Sequence, residues 1–131
     1  MVHYKGIEKV DVQTLNAQRA LTEGLWLTLQ RQCIKEKSSQ RVECLFVVHE
    51  ASAVASLLNA FPETARWNHN VCKVDDAMSV KIISPLTYLS REALLELVDV
   101  MMIAAHESVT TFDGFNLDLG DLQRRSWWRL W

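Results

Sequence analysis

The sequence predicts an α+β fold: an antiparallel sheet with helices packed on one face, preceded by an N-terminal helix. Three observations predict it. Apolar residues alternate along the chain between helical spacing and short β-branched runs. After the first helix the segments follow the order β-α-β-β-α-β, which suits an antiparallel sheet covered on one side. Finally, 131 residues with 49% hydrophobic content, four Gly and two Pro supply one core and few loops.

The first helix begins at Asp11, a capping residue, and Val12, Leu15, Ala17 and Leu21 give it an apolar side. Gly24 leaves two continuations open. Leu21, Leu25, Leu29 and Cys33 recur every four residues, as in one long helix to about Lys35. Leu25, Leu27 and Leu29 also alternate, as in a strand over 25–33 forming a hairpin with 42–48. The helix is the favoured reading. After the polar stretch 35–40, Val42–Val48 is short, apolar and β-branched and reads as a buried strand. Ala51–Phe61 reads as a helix with Val54, Leu57, Leu58 and Phe61 on one side, stopped by Pro62. Trp67–Val74 and Met78–Ser84 read as strands about a turn at Asp75-Asp76.

Ser90 caps the best-defined helix. Glu92 sits in its first turn, and Leu94, Leu97, Val98, Met101, Met102 and Ala105 form its apolar face. A last strand spans Val109–Phe112 and Phe115–Leu119, interrupted at Asp113-Gly114, where glycine accepts positive φ and a bulge or tight turn is expected. Residues 1–122 form one domain on this reading, and 123–131 an Arg/Trp-rich tail.

This layout resembles the regulator of ribonuclease E activity B family over roughly residues 42–119. Three stretches carry the resemblance: Val42–Val48 followed at once by a helix, Val80-Lys81-Ile82-Ile83-Ser84-Pro85 leading to the Ser90 helix, and that helix running into Thr111-Phe112-Asp113-Gly114-Phe115. The family places an aromatic-Asp-Gly-Trp string after its last helix; Phe115 stands here where Trp is usual. The resemblance implies a ferredoxin-like fold and a non-enzymatic regulator or inhibitor, from a bacterium or phage, that binds a ribonuclease or its scaffold. It implies no catalytic residues.

The chemistry-bearing residues agree with a quiet protein. A formal charge of −2 lacks the basic surplus of a phosphate binder. Three cysteines without a CxxC pair read as reduced thiols, and the start of the chain has no apolar signal core, so a cytoplasmic location is expected. His69 with Cys72, and His49-Glu50, fall short of a four-ligand metal site. His106 suits the negative end of its helix. Cys44, inside an apolar strand, reads as packing. No cofactor, metal or catalytic set is expected, and no membrane association.

Partner contacts are assigned to Phe112, Asp113 and Phe115 and to the tail residues Arg124, Arg125, Trp127, Trp128, Arg129 and Trp131, because Trp and Arg dominate binding hot spots. The tail aromatics have two other uses: folding back on the domain or an identical subunit, or stacking on single-stranded nucleic acid. A small oligomeric enzyme with its site between subunits is the remaining alternative.

Overall fold

The computed structural model describes residues 6–31, 39–74 and 77–117. Its helices are α1 (Val12–Arg31), α2 (Ala51–Asn59) and α3 (Arg91–Ser108). Its strands are β1 (Ser39–Gln40), β2 (Glu43–Val48), β3 (Asn68–Val74), β4 (Ala77–Ile83), β5 (Thr87–Tyr88) and β6 (Thr111–Asn116). The sequence-predicted order β-α-β-β-α-β is present as β2-α2-β3-β4-α3-β6.

Four strands form one sheet in the order β3-β4-β2-β6, every neighbour antiparallel, while β1 and β5 pair in a separate two-stranded ribbon. β4 fills the slot between β2 and β3, so the two strands joined through α2 are not adjacent. Among the described residues the helices cover one face of the sheet. On that face lie Cys44, Phe46 and Val48 of β2, Val80 and Ile82 of β4, and Phe112 of β6, all buried with Leu57 of α2 and Leu94, Val98 and Met101 of α3. Phe46 sits at the centre, its ring 5.4 Å from Phe112 and 6.4 Å from Phe61. Trp67 extends the aromatic cluster with its ring 4.7 Å from Phe61.

The hairpin alternative for residues 25–33 is overturned within 25–31, which are helical. Trp26 and Leu29 are buried with Leu15 and Thr22, so burial follows the helical period and not the alternation of Leu25, Leu27 and Leu29. The expected extension to Lys35 lies outside the described residues. Asp11 caps α1 as predicted: its carboxylate accepts from the Thr14 backbone N–H at 2.9 Å and from the Thr14 hydroxyl at 2.7 Å. These bonds to the charged form lower the Asp11 pKa from its ordinary value.

α1 runs antiparallel to α3, since Arg19 meets Asp99 and Glu23 meets Arg91. Ser90 caps α3 by accepting from the Ala93 N–H at 3.0 Å, as its sequence predicts. α2 ends at Asn59, slightly before the predicted Phe61, and Phe61 closes it with a tight N–H bond to the Leu58 carbonyl.

Two strand readings change. Val42–Val48 was expected as a wholly buried strand, but in β2 only Cys44, Phe46 and Val48 are fully buried, while Glu43, Leu45 and Val47 face the uncovered side. The last strand is continuous across Asp113-Gly114 and spans Thr111–Asn116; the expected end at Leu119 lies outside the described residues. The irregularity there is a bulge: Leu45 pairs with Gly114 and Phe46 with Phe112, leaving Asp113 as the extra residue. Gly114 has φ of 111°, a region closed to most side chains.

Candidate functional site

The side of the sheet opposite the helices carries three cross-strand rows, four strands wide. Asn68, Ile83, Glu43 and Asn116 form the first; Asn70, Lys81, Leu45 and Gly114 the second; Cys72, Ser79, Val47 and Thr111 the third. At the usual strand spacing the surface is about 14 Å across. Leu45, Val47 and Ile83 are half-buried at its centre, and polar residues surround them. On the β6 side Leu45 faces Gly114, which has no side chain, and a Cβ built there meets nothing within 4 Å. The bulge thus opens a notch beside Leu45.

One polar chain ties the surface together. The Glu43 carboxylate accepts from Asn116 Nδ2 at 2.9 Å and lies 3.4 Å from Lys81 Nζ, linking β6, β2 and β4. Because Glu43 and Lys81 are each about a third exposed, the ion pair holds side chains in place and adds little stability. The arrangement is an apolar centre with a hydrogen-bonding rim, the anatomy of a protein-binding patch.

The predicted partner residues divide sharply. Phe112 is buried in the core at 3% exposure, so its ring packs the domain and is not offered to a partner. Phe115 is half-buried against the same core, its ring 5.2 Å from Phe112 in edge contact. In a regular strand, residues three apart face opposite ways. The extra residue at Asp113 turns both phenylalanines to the helix side, which is the structural use of the aromatic-Asp-Gly-aromatic string. Asp113 alone of the three is exposed. Arg124, Arg125, Trp127, Trp128, Arg129 and Trp131 lie outside the described residues.

The remaining chemistry-bearing groups stand apart. His69 pairs with Ile82 and Cys72 with Ser79, so they occupy opposite faces of β3 and do not share a metal. Among the described residues no cluster of three or more His, Cys, Asp or Glu has metal-binding geometry. Cys44 is buried, and desolvation together with the nearby Glu43 charge pushes its thiol pKa far up, consistent with packing. His106 is exposed in the last turn of α3. No helix among the described residues is long and apolar enough to cross a membrane.

Two features had no clear signal in the sequence. The patch of Leu45, Val47 and Ile83 was hidden in runs that read as uniformly apolar. The Arg19–Asp99 pair joins positions eighty residues apart in the chain; the only hint was Asp99 interrupting the apolar face of α3.

Comparison of the chain with models of protein families and with curated proteins gives no match.

Proposed function

We propose that this protein is a small non-enzymatic regulator that acts by binding another protein through the uncovered face of its sheet. The observation that carries the proposal is the half-exposed centre of Leu45, Val47 and Ile83, framed by the Glu43–Lys81–Asn116 chain and notched at Gly114. A protein partner fits this surface better than nucleic acid does. Single-strand binders stack bases on aromatic rings beside free cations. Here the central residues are aliphatic, and the Lys81 ammonium is paired with Glu43.

The split order of the sheet, β3-β4-β2-β6, supports assigning the fold to the ferredoxin-like class. The resemblance to the regulator of ribonuclease E activity B family makes a ribonuclease or its scaffold the first partner to try. The Arg/Trp tail is the second contact in this reading, for the hot-spot chemistry given above.

The test is calorimetric titration of the full chain against purified ribonuclease E and its scaffold region at moderate salt. Leu45→Lys should weaken binding by about a hundredfold, with a modest fall in melting temperature and the domain still folded, because the position is half-buried and the new ammonium stands opposite Lys81. A chain ending at Leu122 isolates the contribution of the tail. Binding insensitive to Leu45→Lys would remove the sheet face from the interface, and absence of binding would remove this partner class.

A further inference from the structure

The chain continues from one corner of the open sheet face, and its continuation has the pattern needed to cover that face. β6 ends at Asn116, whose Nδ2 donates to the Glu43 carboxylate in the first of the three rows. Leu117 follows, half-buried against the core, and fourteen residues, 118–131, continue from there. Their sequence is two-sided. At about 100° per residue, Leu122, Ser126, Trp127, Leu130 and Trp131 fall on one half of a helix, and Arg124, Arg125, Trp128 and Arg129 on the other. Asp121 is a capping residue ahead of this pattern, and Gly120 before it suits a reversal of direction.

We propose that residues 121–131 lie as an amphipathic helix over the open sheet face of the same molecule, along β2 and the Gly114 notch. The dimensions agree. Residues 117–120 span up to about 13 Å when extended, more than the ~10 Å between packed layers. A helix over 121–131 is about 16 Å long, and the face runs about 14 Å from its first row to its third. Leu122, Trp127 and Trp131 rise along the helix at intervals of about 7.5 and 6 Å. The rows beneath them are about 6.8 Å apart. Leu122 thereby reaches Ile83 in the first row, Trp127 reaches Leu45 beside Gly114 in the second, and Trp131 reaches Val47 in the third.

The chemistry of the two surfaces also matches. Leu45, Val47 and Ile83 are aliphatic and half-buried, so an apolar cover removes their remaining surface from water and no charged partner is needed. A Cβ built at Gly114 meets nothing within 4 Å, and an aromatic ring laid over a strand glycine fills such a gap. The tryptophans of the tail, left in water, would be a solubility liability. The arginines on the other half of the helix keep their hydration. The consequence rests on the proposed function above: a partner reaches the face only by displacing residues 121–131, which are then free to make the second contact.

The test is nuclear Overhauser spectroscopy on the full chain with labelled Ile, Leu and Val methyl groups. Cross-peaks are expected between the Trp127 indole and the Leu45 methyls, and in a mixture of labelled and unlabelled protein they should prove intramolecular. Trp127→Ser should remove them, while Trp128→Ser, on the opposite half of the helix, should leave them in place. Unchanged methyl shifts of the buried Leu29 and Val98 show that both variants are folded. A Leu45 without cross-peaks to residues 121–131 overturns the inference. So do contacts of Trp127 with Leu21 or Leu27 of α1 in place of Leu45, and cross-peaks that arise only between molecules. Ribonuclease binding is read separately by the calorimetric titration: intramolecular cross-peaks without that binding keep the cover and remove the partner class.

Discussion

Val109 is the residue most at odds with its backbone. α3 closes with the Thr110 N–H donating to the Ala105 carbonyl at 2.9 Å and the Val109 N–H to the His106 carbonyl at 3.4 Å, the paired bonds of a Schellman ending. That ending requires a left-handed residue, normally glycine, and Val109 takes the role at φ 57° and ψ 47°. A β-branched side chain there costs roughly 1–2 kcal/mol, and Val109 offsets little of it by packing because it is 84% exposed. Val109→Gly should therefore stabilise the fold by about 1 kcal/mol in urea unfolding, even though glycine loses more entropy on folding. A loss of stability would mean that the valine has a contact which its exposure does not suggest. Gly114 is the converse case: its surroundings have room for a side chain, and φ alone restricts the position.

At the scale of elements, α1 and α3 are joined by an ion pair inside their interface. Arg19 Nε donates to Asp99 Oδ1 and its Nη2 to Oδ2, both at 2.9 Å, in a two-pronged pair. The Asp99 side chain is 4% exposed and that of Arg19 29%. A second link joins Arg91 to Glu23 at the surface. The buried pair sets the register of the two helices, while its net contribution is small because both charges lose water. Removing one partner is costly, since it strands the other. Arg19→Met should destabilise by about 3 kcal/mol, and Arg19→Met with Asp99→Leu should recover most of that loss. Equal destabilisation in the single and double variants would show that packing, and not the stranded charge, dominates. Gln18 extends the same contact by donating to the Phe112 carbonyl at 3.3 Å, tying α1 to the edge strand β6.

For the whole molecule, the one-sided sheet governs both pH response and exposure. Cys44 lies under the helices with its thiol pKa raised by burial. In the unfolded chain a thiol loses its proton near pH 8.5. Above that pH the unfolded state binds fewer protons than the folded one, so stability is complete below about pH 8.5 and falls as pH rises further. Melting temperatures from pH 7 to 10 should show an alkaline decline that is shallower in Cys44→Ala, relative to that variant's own value at pH 7. Identical slopes would shift the cause to other groups. The other exposed surface is β3, where residues 68–73 are all exposed and an edge of the sheet is open; Lys73 and the polar residues there discourage pairing with further strands.

The sequence alone determined the elements whose causes are local. Ser90 caps α3, Asp11 caps α1, Pro62 follows the end of α2, and Asp113-Gly114 makes a bulge, because capping, ring closure and positive φ act within about four residues. The order β-α-β-β-α-β was legible for the same reason. Tertiary structure decided which sides of those elements are covered. Residues 25–31 satisfied two periodicities, and burial of Trp26 and Leu29 on the inward side of α1 selected the helix. The Val42–Val48 run looked buried throughout, yet only the face beneath the helices is closed, leaving Leu45 and Val47 at the candidate site. Phe112 looked like a contact residue and became core, because the bulge turned it inward with Phe115. Burial is a property of what lies opposite a side chain, and the elements opposite come from distant parts of the chain.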